Sequence, residues 1–175
     1  MSNVKLVNGS SVEQNVDAIV NAANKYLVAG SGVCGAIFAK AGYDELTNAC
    51  NMINTPLSDG DAVITPAFGI KNAKYIIHAV GPNFAITPDA FDKLYDAYYN
   101  SLALLKENNL HSIAFPLISS GIYGGYLDNP ARESAKQFKK AYDDFINLNS
   151  DYDIDVKLCA FKQNEYQEAH EELEK

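Results

Sequence analysis

The sequence predicts a three-layer α/β/α sandwich built on a mostly parallel, six-stranded sheet. Three observations carry this. Six short apolar or β-branched runs recur along the 175 residues. Segments with helical periodicity separate them. Several of the runs are apolar at successive positions, as strands covered on both faces must be. Alternation of this kind lays helices on both faces of a parallel sheet.

The elements follow in chain order. The strands are expected at Val4 to Val7, Ala18 to Asn21, Ala62 to Thr65, Tyr75 to Val80, Ser112 to Leu117 and Val156 to Phe161. A helix from Val33 to Ala41 follows a glycine-rich stretch. A second places Phe91, Leu94, Tyr95, Tyr98, Leu102 and Leu105 on one face at spacings of three and four, with Thr87 as cap and Pro88 at the first helical position. A third repeats that device with Asn129 and Pro130 and carries Ala131, Ala135, Phe138, Tyr142 and Phe145 inward. A short last helix follows Asn164 as cap, with Gln167 three residues on.

Composition bounds the function. The chain is expected to be one domain, residues 1–175, large enough to bury roughly 70% of its unfolded surface. No long uncharged apolar stretch suits a membrane span. The N-terminus, MSNVKLVNGS, lacks a basic-then-apolar signal. The three cysteines, Cys34, Cys50 and Cys159, are odd in number and lack zinc-site spacing, so neither a disulfide framework nor a metal site is expected. A reducing cytoplasm is the expected compartment. The net charge of −8 argues against nucleic acid, whose binding needs a basic surface. It leaves room for a small phosphorylated ligand held by main-chain N–H groups.

Residues 30 to 35, GSGVCG, spell G-x-G-x-x-G, the dinucleotide-binding pattern. The context differs: Asn21 to Ala29 intervene between the strand ending and Gly30, whereas a dinucleotide fold turns from strand to helix almost at once. A second glycine-rich loop, PLISSGIYGGYLDNP, follows the strand SIAFPL and precedes a helix. Two such loops at corresponding strand ends can hold a diphosphate from both sides.

VDAIVNAAN with the following G-x-G-V, then IIHAVGP, then P-L-I-S-S-G-I-Y-G, resembles the macrodomain family. The likeness runs from about Val4 to the last helix. It implies a macrodomain-like sandwich with a mixed, mostly parallel six-stranded sheet, ADP-ribose or an ADP-ribosylated protein as partner, and no cofactor. By the same resemblance, Asn24 contacts the distal ribose, Asn21 holds the loop's backbone, and Gly30, Gly32, Val33 and Cys34 lie along the diphosphate and distal ribose. Ser119, Ser120, Gly121, Ile122 and Tyr123 form the second phosphate loop, with Tyr123 beside the distal ribose. Phe161 stacks on adenine, its other reading being a core residue at a strand end. Outside the site, His78 reads as a buried, hydrogen-bonded histidine, Cys159 as a small core residue and Asp17 as a backbone-ordering carboxylate.

The chain departs from the family at two places. Where many members carry Asp in a G-D-I segment, to accept from the adenine amino group, this chain has Ser10 within Gly9-Ser10-Ser11, a weaker acceptor. Where one hydrolase branch carries Asp after G-x-G-V, this chain has Cys34. Cys34 reads as a small wall residue rather than a nucleophile; with Asn24 it stands as the catalytic candidate. The resemblance implies a mono-ADP-ribosyl hydrolase acting on ester links to Asp or Glu, or on O-acetyl-ADP-ribose. The alternative is a non-catalytic ADP-ribose reader.

Overall fold

The computed structural model describes residues 1–30 and 32–175. Ser31, the second residue of GSGVCG, lies outside them. The strands are β1 (Asn3–Asn8), β2 (Ala18–Ala23), β3 (Ala62–Pro66), β4 (Tyr75–Val80), β5 (Ser112–Pro116) and β6 (Asp155–Ala160). They form one sheet in the order β1-β6-β5-β2-β4-β3. All pairs are parallel except β3 with β4. The mixed, mostly parallel six-stranded sheet is therefore as the sequence predicts.

Five helices complete the chain: α1 (Gly32–Ala41), α2 (Tyr43–Asn51), α3 (Ala90–Glu107), α4 (Pro130–Leu148) and α5 (Gln163–Leu173). Side chains alternate between the sheet's two faces, and the core divides accordingly. Val20, Ile77, Phe115 and Leu158 pack with the apolar faces of α3 and α4. Ile19, Ile76, Ala114 and Cys159 pack with Ile37 and Phe38 of α1 and Leu46 of α2. Burial raises the Cys159 thiol to about 12, so it stays protonated as a small core residue. Asp17, just before β2, accepts from the His111 and Ser112 N–H groups at 2.9 and 3.2 Å, which ties the start of β2 to that of β5.

Several expected details are corrected. The helix α2 has no counterpart in the sequence reading: only Leu46 and Cys50 are buried along it, too few to establish a period. The α3 helix starts at Ala90, with Asp89 before it in left-handed backbone, and Thr87 does not cap it. The Thr87 hydroxyl instead donates to Asp59 and accepts from the Asn83 N–H. Pro130 does open α4, but the Asn129 side chain makes no capping bond. The α5 helix begins at Gln163, where the Lys162 N–H donates to Glu165 at 3.4 Å, so Asn164 and Gln167 are not its cap pair.

Parallel pairing gathers the loops after β1, β2, β4, β5 and β6 at one edge of the sheet. Because β3 runs the other way, the loop before it reaches that edge too. There the Leu57 N–H donates to the Lys25 carbonyl at 2.8 Å and the Gly60 N–H to Val80 at 2.7 Å.

Candidate functional site

The carboxyl edge carries a row of exposed apolar side chains: Tyr26 and Val28 after β2, Ile86 after β4, Ile122 and Tyr123 after β5, and Phe161 after β6. Apolar groups held out to solvent on successive loops mark a binding surface.

One end of the row lies at β1 and β6. Phe161 directly follows β6 and is 74% exposed, which rules out its reading as a core residue. Beside it, the Gly9 N–H donates to Ala160 at 3.1 Å, so the segment holding Ser10 lies next to the ring's base. Ser10 spends one acceptor position on the Val12 N–H, at 3.2 Å, capping a single 3-10 turn at Ser11–Glu13.

The middle of the row is built from the two glycine loops. The helix α1 opens at Gly32, whose φ of +61° suits glycine. The first N–H groups of any α-helix lack intrahelical partners, and here they include those of Gly32, Val33 and Cys34. A Cβ on Gly35 would stand 2.5 Å from the Gly30 carbonyl oxygen, so that backbone approach requires glycine. Opposite, the β5 loop is pinned from below. The Ser119 hydroxyl donates to the Pro82 carbonyl at 2.7 Å and Ser120 to Leu117 at 2.8 Å. Among the described residues, the main-chain N–H groups of Gly121, Ile122 and Tyr123 donate to no protein acceptor. Among the described residues, two sets of main-chain donors without protein acceptors thus lie at the middle of the edge, as an anion site needs.

The other end is a cavity of about 220 Å³ between the loops after β2, β4 and β5, with Asn24 and Tyr123 both on its wall. The Asn24 side chain works within its own loop. Its amide donates to Val28 at 2.8 Å, and its oxygen accepts from the Tyr26 and Val28 N–H groups at 3.1 and 3.2 Å. One amide hydrogen remains for a ligand. Cys34 is buried beside this loop and its thiol donates to the Val28 carbonyl at 3.6 Å, the position of a wall residue. The cavity also takes in Lys25, Asp59, Asn83 and Thr87, which sequence reasoning missed. Lys25 directly follows NAAN, and Asn83 directly follows VGP.

Asn21 is the clear correction. It lies buried in β2 opposite His78 of β4, away from the loop backbone it was expected to hold. Its amide nitrogen lies 3.1 Å from His78 Nδ1, and Thr65 Oγ1 lies 2.9 Å from Nε2. Asn21 donating at Nδ1 leaves the Nε2–H to donate to Thr65, whose own hydroxyl donates to Pro66. His78 is thus the buried, hydrogen-bonded histidine expected, and burial lowers its pKa to about 4.

A larger groove of about 290 Å³, where α4 and α5 meet β1, touches none of these loops. Among the described residues no cluster of three or more His, Cys, Asp or Glu is poised to hold a metal, and no helix is long and apolar enough to cross a membrane.

The fold and this edge define an α/β protein with a binding cleft running across the carboxyl ends of its strands. The family model for the Macro domain matches residues 20–137, and the chain belongs to that family. A macro domain-containing protein of Caldanaerobacter subterraneus is 40% identical over 98% of each chain. An O-acetyl-ADP-ribose deacetylase of Salmonella typhimurium is 41% identical over 83% of this chain and 80% of its own. The Oceanobacillus iheyensis macrodomain with ADP superposes with a TM-score of 0.89 at 35% identity, covering 99% of this chain and 90% of its own. The Trypanosoma brucei macrodomain in complex with ADP-ribose follows with a TM-score of 0.85 at 28% identity, covering 96% and 68%.

Proposed function

We propose that this macro domain binds ADP-ribose and hydrolyses its esters, either those linking it to Asp or Glu of proteins or O-acetyl-ADP-ribose. The observation that carries the reading is the order of features along the edge. An exposed aromatic stands at β6, free N–H donors at β5 and β2, and a cavity with Asn24 at β2 and β4. From β6 to β4 is three strand spacings, about 14 Å. That order matches adenine, diphosphate and distal ribose in turn. The solved relatives with ADP and with ADP-ribose, and the relative named a deacetylase, support it.

In this reading Phe161 stacks on adenine, with Ser10 beside it. The N–H groups of Gly32, Val33 and Cys34 and those of Gly121, Ile122 and Tyr123 hold the diphosphate. Asn24 gives its remaining amide hydrogen to a ribose hydroxyl. For the ester to Asp or Glu at the anomeric position, a water held by a substrate phosphate oxygen attacks the anomeric carbon. The new C–O bond forms as the bond to the acyl oxygen breaks, and the carboxylate leaves with the electron pair. The water's proton passes to solvent. Since a carboxylate is a good leaving group, positioning and electrostatics supply most of the acceleration.

One observation favours the reader instead: Cys34 offers no carboxylate near the ribose, and its thiol is occupied by Val28. The test is incubation with an acceptor mono-ADP-ribosylated on Glu, followed by chromatographic detection of free ADP-ribose. Time-dependent release supports the hydrolase. Micromolar ADP-ribose binding with no release from any acyl-linked substrate establishes the reader.

A further inference from the structure

We infer that the cavity between Asn24 and Tyr123 is the acyl-side subsite of this protein, with the Lys25 ammonium receiving the acyl oxygens of the substrate. The inference rests on the ester-hydrolase reading and adds to it the group that meets the leaving acid.

Asn24 and Tyr123 line the cavity together with Lys25, Asp59 and Thr87, so a distal ribose held by Asn24 enters it at the Asn24 side and turns the bond to be cut towards Lys25 and Asp59. Its walls are largely apolar, with Tyr26, Val80, Ile86 and Tyr123 among them, and the charged groups are gathered at Lys25 and Asp59. The Asp59 side chain is 12% exposed and the Lys25 side chain 50%, with 3.5 Å between their charged atoms. Asp59 is held from behind, because its second oxygen accepts from the Thr87 hydroxyl at 2.8 Å. Thr87 in turn accepts from the Asn83 N–H at 3.2 Å. The carboxylate is therefore fixed on the inner wall, and the ammonium reaches it from the more exposed side.

A lysine has three donors and one is directed to Asp59, leaving two for a ligand. An ester carbonyl oxygen accepts from such a group, and in the reaction above negative charge develops on the acyl oxygens as the carboxylate departs. A cation positioned there lowers the barrier more than it tightens substrate binding. Free ADP-ribose has no acyl group and gains nothing from Lys25. This separates Lys25 from Asn24, which serves substrate and product alike. The backbone attachment of this loop, Leu57 N–H to Lys25 carbonyl, survives any change of side chain.

The experiment compares wild type with Lys25→Met, Lys25→Arg and Asp59→Asn. Three quantities are read: kcat/KM on a peptide carrying ADP-ribose on Glu, the Kd of ADP-ribose, and the Kd of O-acetyl-ADP-ribose. In Lys25→Met, kcat/KM falls about tenfold or more, less than for a fully buried donor because the side chain is half exposed, while the Kd of ADP-ribose changes less than about twofold. Lys25→Arg recovers most of the loss, and Asp59→Asn falls between. Equal losses in turnover and ADP-ribose affinity would make Lys25 a loop-ordering residue and overturn the inference, as would unchanged turnover. Should wild type release no ADP-ribose at all, the hydrolase reading fails, and the subsite is judged by binding alone. The preference for O-acetyl-ADP-ribose over ADP-ribose then drops in Lys25→Met if the cavity takes acyl groups, and an unchanged preference overturns that too.

Discussion

His78 makes the stability of this protein depend on pH in a way that one substitution removes. In the folded chain the ring is fully buried and its pKa is about 4, against 6.5 in the open chain, because burial penalises the charged imidazolium. Between those values the unfolded chain binds a proton that the folded chain refuses. Stability is therefore complete above about pH 6.5 and is lost as the pH falls towards 4. At about 1.4 kcal/mol per pH, His78 costs about 2 kcal/mol by pH 5 and about 3 kcal/mol by pH 4. Many surface carboxylates titrate over the same range, so the measurement is a difference. His78→Gln keeps a donor for Thr65 and an acceptor for Asn21 but cannot take up a proton. Urea unfolding at pH 7, 5 and 4 should show wild type losing about 2 and then about 3 kcal/mol more than His78→Gln. Parallel curves for the two proteins would refute the reasoning. So would ring NMR signals of His78 that titrate near pH 6.5 in the folded state.

Three further outcomes are expected. Gly35→Ala forces the Gly30 carbonyl away from a Cβ at 2.5 Å; the thermal midpoint should fall by about 2–4 °C per kcal/mol, for a cost of about 1–3 kcal/mol, and calorimetry should show ADP-ribose affinity lost with it. Phe161→Ala should weaken ADP-ribose binding by about 1–3 kcal/mol with an unchanged midpoint, since the ring is already exposed, and Ser10→Asp should tighten binding and raise selectivity over the inosine analogue, which lacks the amino group. In the release assay Cys34→Ala should keep activity within about tenfold, whereas Asn24→Ala removes three hydrogen bonds that shape its loop and should lose about a hundredfold or more; the reverse order would return Cys34 to the role of nucleophile.

The strands were legible because burial between two helical layers leaves little room for polar residues in Ala18-Ile19-Val20 or Tyr75 to Val80. The two glycine loops were legible because their spacing records a backbone need, seen at Gly35. Helix starts were less so. Thr87, Asn129 and Asn164 have the right chemistry for caps, but capping depends on backbone angles that composition does not record, and Thr87 found a better partner in Asp59. Asn21 and Asn24 look alike in NAAN, yet strand alternation sends the first to His78 in the sheet, while the second lies past the end of β2. Lys25, Asp59 and Thr87 carry no shared spacing. Only the pairing of β3 with β4 and β4 with β2 brings them together, and their one sequence signal is adjacency to recognised motifs, as at Lys25 and Asn83.

The reversed direction of β3 has a consequence for how such a protein diversifies. In a wholly parallel sheet the segment leading into an edge strand would emerge on the side remote from the ligand. Here residues 52–61 pass the mouth on their way into β3, an edge strand that carries neither glycine loop, and Asp59 is their contribution to the cavity. Substitutions, insertions or deletions in this segment can remodel the cavity without disturbing Gly35, Gly121 or Phe161. On the proposed function, one lineage can thus change the acids it accepts while keeping its hold on the nucleotide, because the two tasks are written into separate stretches of chain.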